Sequence, residues 1–188
     1  MIRIDIVGGI GSGKSYVAKQ FGYPVFNADY EVSEIYKKNI KCFKKLKKVL
    51  PGYIFSFPVR TNELSKAIIE NKNNIKKINK VIHPEVSLRM KKFLKKNKKK
   101  KFVILDIPLL LEGKINKKKD VLIFVAAEKK KITKRLKRRS NFSLKIFTVL
   151  KKLQLPLEEK RKKSNFIIKN DFKPNYVKKN VNSILKKF

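Results

Sequence analysis

Residues 8–15 read Gly8-Gly9-Ile10-Gly11-Ser12-Gly13-Lys14-Ser15, which fits the pattern G-x-x-x-x-G-K-[ST]. The stretch before it, Ile2 to Val7, is rich in branched apolar residues, and the stretch after it, to about Phe21, has helical spacing. A glycine-rich loop between a strand and a helix brings the backbone close to a phosphate and points successive N–H groups at it. The sequence therefore predicts a nucleotide phosphate-binding loop, or P-loop.

The loop pattern assigns a role to each of its residues. Lys14 is predicted to reach the β- and γ-phosphates of ATP, and the Ser15 hydroxyl to coordinate Mg²⁺. The nucleotide-binding set is Gly9, Ile10, Gly11, Ser12, Gly13, Lys14, Ser15 and Tyr16. A chance glycine-rich turn is the alternative interpretation. The pattern does not name the reaction, because molecular switches, motors and kinases share it.

Apolar runs elsewhere in the chain predict further strands. They lie at residues 25–26, 102–105, 121–126 and 166–168, and helical stretches separate them. Strands that alternate with helices predict a three-layer α/β fold with a parallel central sheet. We expect a single domain over residues 1–188, with a core of about 1–29 and 102–188 and an inserted helical region of about 30–101.

The charge of the chain is extreme, with a formal net charge of +36. Taken alone, this value suggests a nucleic-acid or anionic-membrane partner. The lysines are nevertheless spread along nearly the whole chain, which favours compositional drift at the surface, so we expect no specific nucleic-acid partner. A nucleic-acid-binding ATPase remains the alternative. The oligomeric state is not predicted.

Arginine is scarce, at seven of the fifty basic residues, so the positions that keep it are informative. A planar guanidinium grips phosphate at two points, whereas an ammonium acts as a point charge. Three of the seven arginines lie between Arg135 and Arg139, and this cluster is a candidate phosphate clamp.

The sequence also suggests a location. It contains one cysteine, Cys42, no secretory signal pattern, and no apolar run near the roughly 20 residues that a membrane-spanning helix needs. We therefore expect a cytoplasmic protein without a membrane partner.

Two carboxylates are candidates for chemistry. Asp29 follows the second predicted strand, at the edge of the sheet where ligands gather in α/β folds, and it is the candidate base for an acceptor hydroxyl. Its alternative role is the N-cap of the next helix. Asp106 follows the apolar run of residues 102–105. Its two alternative roles are contact with Mg²⁺ and a purely structural role.

Together these segments resemble one family, dephospho-CoA kinase. The match covers the length of the chain. Val7 to Ser15 resembles the family's T-G-G-I-G-S-G-K-S loop, and Phe26-Asn27-Ala28-Asp29 resembles its I-D-A-D segment. Three downstream segments also match. Ile82-His83-Pro84 resembles the family's H-P element, residues 107–112 resemble its P-L-L-x-E segment, and residues 154–160 resemble its Q-x-P-x-x-E-K stretch.

The resemblance implies a P-loop kinase that transfers phosphate from ATP, with Mg²⁺, to the 3′-hydroxyl of dephospho-CoA. It implies Asp29, Lys14 and Arg139 as catalytic residues, Arg135 and Arg139 as nucleotide contacts, and a helical lid over about residues 135–160. Acceptor contacts are then expected from Asp29, Arg60, His83, Pro108 and Leu109. A kinase of nucleoside monophosphates or of shikimate is the alternative within enzymes.

Three positions depart from the family pattern. Tyr16 replaces the usual threonine, Asn27 replaces the first acid of D-A-D, and Asp171-Phe172 lacks the glycine common after the last strand. None of them removes a residue to which the resemblance gives a catalytic role.

Overall fold

The protein is built around a five-stranded parallel sheet, seen in a computed structural model that describes residues 1–138 and 142–188. The strand order is β2-β3-β1-β4-β5. The strands are β1 (Ile2–Gly8), β2 (Val25–Asn27), β3 (Phe102–Asp106), β4 (Val121–Ala126) and β5 (Phe166–Lys169). The described helices are α1 (Lys14–Gln20), α2 (Ala28–Lys38), α3 (Ile40–Val49), α4 (Thr61–Glu70), α5 (Asn74–Lys96), α6 (Lys129–Lys137), α7 (Leu144–Lys152), α8 (Leu157–Lys162) and α9 (Pro174–Leu185).

The prediction of a parallel α/β fold is confirmed, and the register of the sheet places three strand ends side by side. In the ladder between β1 and β3, Ile6 pairs with Asp106, and in that between β2 and β3, Asn27 pairs with Asp106. Parallel strands all end at the same edge of the sheet, where ligands bind in α/β folds. The loop after β1 therefore begins beside Asn27 and Asp106. Asp106 is itself the last residue of β3 and not the residue after it.

The chain divides into two compact units. The first comprises Met1–Asn27, Lys96–Phe142 and Lys151–Phe188, and it contains the sheet. The second comprises Ala28–Lys95 and Ser143–Leu150, and it is helical.

The main hydrophobic cluster of the first unit lies on one face of the sheet. Ile4 and Ile6 of β1 are fully buried and pack with Val17 of α1 and with Val177 and Val181 of α9. Side chains alternate between the two faces of a strand, so Arg3 and Asp5 point to the opposite face. Burying such side chains stabilises the fold by about 1.5–3 kcal/mol each.

The second unit has a separate core. Ile35, Leu46, Ala67 and Ile78, from α2, α3, α4 and α5, are buried together. Arg89 of α5 also forms an ion pair of 2.9 Å with Glu31 of α2. Among the described residues, no helix combines the length and apolar character needed to cross a membrane.

A buried charge cluster occupies the face of β1 opposite the isoleucines. Arg3 forms a 2.8 Å ion pair with Asp120, and both side chains are almost completely buried. Asp5, two residues along the strand, is fully buried. Burial, followed by repulsion from Asp120, raises the pKa of Asp5 from its ordinary 3.8 to about 8, despite the opposing attraction of Arg3. Asp5 therefore keeps its proton in the folded protein at neutral pH.

We expect Asp5→Asn to stabilise the protein at alkaline pH. Between pH 3.8 and about pH 8 the folded chain holds a proton on Asp5 that the unfolded chain has lost, so the free energy of unfolding falls as the pH rises. Each pKa unit corresponds to about 1.4 kcal/mol. Asparagine is neutral at every pH, so the variant should unfold at least about 4 °C above the parent at pH 8.5, with a flatter dependence of Tm on pH.

Thermal unfolding between pH 5 and pH 9 measures this effect. Glu128→Gln, which removes an exposed carboxylate at the start of α6, is the matched control and should leave the profile unchanged. Parallel Tm profiles for the parent and Asp5→Asn would contradict the assignment of a protonated Asp5.

Candidate active site

The phosphate-binding loop takes a conformation that its glycines make possible. Gly11 and Gly13 have φ values of 81° and 89°, in the left-handed region that other residues avoid. A side chain on Gly11 would press against Ile132 and Leu136 of α6, at 3.0 and 3.1 Å from the added Cβ. One on Gly13 would collide with the amide of Asn170. The loop ends where α1 begins, at Lys14.

Asn170 holds this loop from the end of β5. Its side chain is 3% exposed and donates from Nδ2 to the Ser12 carbonyl oxygen at 2.8 Å. Its backbone N–H bonds to the Ala126 carbonyl at 2.7 Å, and its Oδ1 accepts from the Phe172 N–H at 3.0 Å. The loop is thus tied directly to the sheet.

Lys14 lies against the loop that it follows. Its Nζ donates to the carbonyl oxygens of Gly9 at 2.9 Å and of Gly8 at 3.3 Å. The ammonium is therefore already at the phosphate-binding loop, and its carbonyl partners are ones that an anion could replace.

Three polar side chains converge at the ends of β2 and β3. Asn27 Nδ2 lies 2.6 Å from Asp106 Oδ2 and 3.3 Å from Ser15 Oγ, so the amide bridges the carboxylate and the hydroxyl. Asp106 is 3% exposed. Carboxylate, amide and hydroxyl oxygens are the hard donors that Mg²⁺ prefers. The carboxylate of Asp106 and the hydroxyl of Ser15 suit a magnesium ion, whereas Asn27 presents its amide nitrogen to both and is not itself a ligand.

Arg135 lies on α6, the helix that packs against the loop. Its guanidinium carbon is 4.5 Å from the centre of the Phe172 ring, within the range of a cation–π contact. The same ring lies next to Gly13, since a Cβ added there would be 3.5 Å from Phe172 Cε1. Phe172 has a φ of 67°, where a glycine would be relaxed. Arg139, the second arginine of the predicted clamp, lies outside the described residues.

Three predicted site residues lie in the second unit. Asp29 is exposed in the first turn of α2, which begins at Ala28, so it lies inside the helix and not at the N-cap. Arg60 is exposed at the N-cap of α4. His83 is exposed on α5 and lines a groove of about 590 Å³ whose other lining residues are Lys76, Asn79, Lys80, Pro84 and Ser87.

The remaining predicted contacts lie in the first unit. Pro108 and Leu109 are half-buried in the turn that follows β3. That turn is closed by hydrogen bonds from Gly113 N–H to the Leu109 carbonyl at 2.9 Å and from Ile115 N–H to the Leu110 carbonyl at 3.0 Å. Tyr16 is half-buried and packs against the main core.

Comparison with known proteins identifies the family. The sequence model of the family described as dephospho-CoA kinase matches residues 2–175, which is nearly the whole chain. The chain belongs to the dephospho-CoA kinase family. As a kinase family, it consists of phosphotransferases that use ATP.

One curated relative and two solved structures are similar to this chain over nearly its whole length. The chain is 35% identical over 187 residues to the dephospho-CoA kinase of Wolbachia pipientis wMel, covering 97% of this chain and 95% of that one. It resembles a crystal structure of the Thermus thermophilus protein TT1252 with a TM-score of 0.80 and 27% identity, covering 100% and 97% of the two chains. A dephospho-CoA kinase from Campylobacter jejuni has the same fold, with a TM-score of 0.63, 21% identity and coverage of 98% and 96%.

Sequence reasoning missed part of what surrounds the loop. Asn170 was not a candidate, although a polar residue directly after the last strand is a signal that could have found it. Asn27 was noted only as a departure from the dephospho-CoA kinase pattern. In the structure its amide connects Ser15 to Asp106, and no acid at this position could donate those hydrogen bonds when ionised.

Proposed function

We propose that this chain transfers the γ-phosphoryl group of ATP to the 3′-hydroxyl of dephospho-CoA, giving coenzyme A and ADP. Membership of the dephospho-CoA kinase family over residues 2–175 is the observation that carries the proposal. The loop between β1 and α1 supports it, because its backbone and Lys14 provide the groups that phosphoryl transfer requires.

The phosphates of ATP are bound by the backbone N–H groups of residues 9–13 and by Lys14. On binding, the Lys14 ammonium exchanges the carbonyl oxygens of Gly8 and Gly9 for phosphate oxygens. Because the loop is already fixed by Asn170, little reorganisation is needed, and a pre-organised donor is the kind that stabilises charge in a transition state.

Ser15 and Asp106 would hold Mg²⁺, with Asn27 fixing the orientation of both side chains. The distances from Asn27 Nδ2 to Ser15 Oγ and to Asp106 Oδ2 support this assignment. When bound, the ion neutralises charge on the phosphate oxygens.

Asp29 acts as the general base. Its carboxylate takes the proton from the 3′-hydroxyl of the acceptor while the hydroxyl oxygen forms a bond to the γ-phosphorus. The bond between that phosphorus and the oxygen that bridges it to the β-phosphate breaks, and ADP leaves with the electron pair. The position of Asp29 in the first turn of α2, two residues after β2, supports this role.

Arg135 and Arg139 would stabilise the charge that develops on the transferred group. The position of Arg135 on α6, whose Leu136 and Ile132 lie against Gly11, supports a role close to the loop. In the proposed arrangement, the chain over about residues 135–160 acts as the lid.

The acceptor is expected to contact the helical second unit. Dephospho-CoA carries a diphosphate, and the groove on α5 presents Lys76, Lys80 and His83, which suit an anionic ligand. Arg60, and Pro108 and Leu109 of the first unit, complete the proposed set of acceptor contacts.

We also propose a cytoplasmic protein that has neither a nucleic acid nor a membrane as a specific partner. The even spread of lysine and the single cysteine support this proposal. If the proposal holds, binding to single-stranded DNA should disappear at physiological salt.

A panel of acceptors tests the function. With Mg²⁺-ATP present, ADP release should be fast with dephospho-CoA and near background with AMP, CMP and shikimate. A preference for a nucleoside monophosphate or for shikimate would overturn the proposed acceptor and leave the P-loop site intact.

A further inference from the structure

A buried ion pair joins the turn after β3 to α8. Lys160 of α8 is 1% exposed and places its Nζ 2.7 Å from Glu112 Oε1. The Glu112 side chain is 13% exposed. The same Oε1 accepts a hydrogen bond from the Leu155 N–H at 2.8 Å. Glu112 thus binds both the segment that enters α8 and α8 itself.

Stability alone is a weak reason for such a pair. Removing two charges from water is costly, and well-packed apolar residues in their place are often neutral or more stable. The second carboxylate oxygen, Glu112 Oε2, is buried without a hydrogen-bond partner, which adds to that cost. What the pair supplies is a fixed geometry, because one oxygen receives two directional bonds from residues five positions apart.

The element held in this way touches the phosphate-binding loop. The first residue of α8, Leu157, lies against Gly9, since a Cβ added to Gly9 would be 3.4 Å and 3.7 Å from the two Leu157 methyl carbons. Leu157 is otherwise 46% exposed, so its contact with the loop is not part of a large core. Glu112 therefore holds α8, and Leu157 at the start of α8 contacts the loop at Gly9.

We propose that Glu112 and Lys160 are positioning residues for nucleotide binding. They fix the start of α8 so that Leu157 supports the loop at Gly9 in the conformation that accepts phosphate. The inference rests on the proposed function only in taking that loop as the ATP site. Neither residue needs to touch the nucleotide.

Calorimetric titration with Mg²⁺-ATP tests the proposal on a double variant, a single variant, their combination and a control. Glu112→Gln/Lys160→Met removes both charges, so no charge stays buried alone and the Tm should stay near that of the parent. Its Kd for Mg²⁺-ATP should nevertheless rise about tenfold, because small displacements of binding groups are costly. Leu157→Ala alters an exposed side chain and should raise the Kd in the same direction. Lys162→Met, an exposed lysine on α8, should change neither quantity.

The effects should also be coupled. Adding Leu157→Ala to the double variant should raise the Kd little further, because all three changes act through the same contact. In turnover assays the double variant should show a higher KM for ATP with little change in kcat.

A double variant that has the Tm of the parent and a Kd for Mg²⁺-ATP within twofold of the parent's would overturn the proposal. If the double variant does not fold, Leu157→Ala decides, and an unchanged Kd overturns the proposal equally. ATP titration needs no acceptor, so failure of this inference is distinct from failure of the proposed acceptor in the panel.

Discussion

Replacing Lys14 with methionine is expected to lower kcat/KM for ATP by about 10²–10³-fold, the range typical of removing one pre-organised donor from a transition state. Methionine keeps much of the length of the side chain and removes the charge. The Tm should change little, because the Gly9 carbonyl, the nearer of the two that Lys14 contacts, belongs to a half-buried residue and can bond to water. The measurement is ADP release with dephospho-CoA at varied ATP.

Lys19→Met is the matched control, since Lys19 lies on the same helix and is exposed. It should behave like the parent in both turnover and unfolding. A Lys14→Met enzyme that retains kcat/KM within about fivefold of the parent, well below the effect of losing such a donor, would remove Lys14 from the mechanism.

Asp29→Asn is expected to lower kcat by about 10²–10⁴-fold, which is the usual contribution of a general base. Asparagine has nearly the same shape but cannot take the proton of the acceptor hydroxyl. Binding of Mg²⁺-ATP should be unchanged, because the phosphates are held by the loop and Lys14 and not by α2. Single-turnover kinetics and calorimetry on the same preparation separate the two effects.

The control for this variant is Glu34→Gln, on the same helix. Glu34 is half-buried and pairs at 2.6 Å with Lys38, whose side chain is exposed, and ion pairs that reach solvent in this way contribute at most about 1 kcal/mol. Near-parent turnover is expected for Glu34→Gln. If Asp29→Asn were equally active, another group would have to serve as the base.

The sheet was predictable because its strands carry strong local signals. Phe102 to Asp106 is buried at every position, and a short, continuous apolar run of this kind is typical of a strand covered on both faces. The loop was equally clear, since its glycines are dictated by backbone conformation and by close neighbours. Both the strands and the loop can be recognised from patterns in consecutive residues.

The contacts around the loop could not be predicted in the same way. Asn170 and Ser12 are 158 residues apart in sequence, and Asn27 and Asp106 are 79 apart. Side chains so distant meet only because the order of the strands brings them together, and one sequence does not reveal which polar residues will be neighbours. The same holds for Glu112 and Lys160, whose segments were recognised as motifs without any indication that they touch.

The protonated state of Asp5 was also beyond sequence reasoning. An aspartate within a strand reads as an ordinary polar residue. Its raised pKa results from complete burial and from the nearby Asp120, which directly precedes β4. Such a property belongs to the folded environment and not to the residue type.

Identification of the product by phosphorus NMR and mass spectrometry tests directly whether the chain phosphorylates dephospho-CoA. The purified protein is incubated with Mg²⁺-ATP and dephospho-CoA, and the new phosphate monoester is located on the acceptor. We predict one new phosphomonoester on the 3′-hydroxyl, formed in equal amount to ADP. A monoester at any other hydroxyl, or ADP and free phosphate with dephospho-CoA left unchanged, would rule out the proposed reaction.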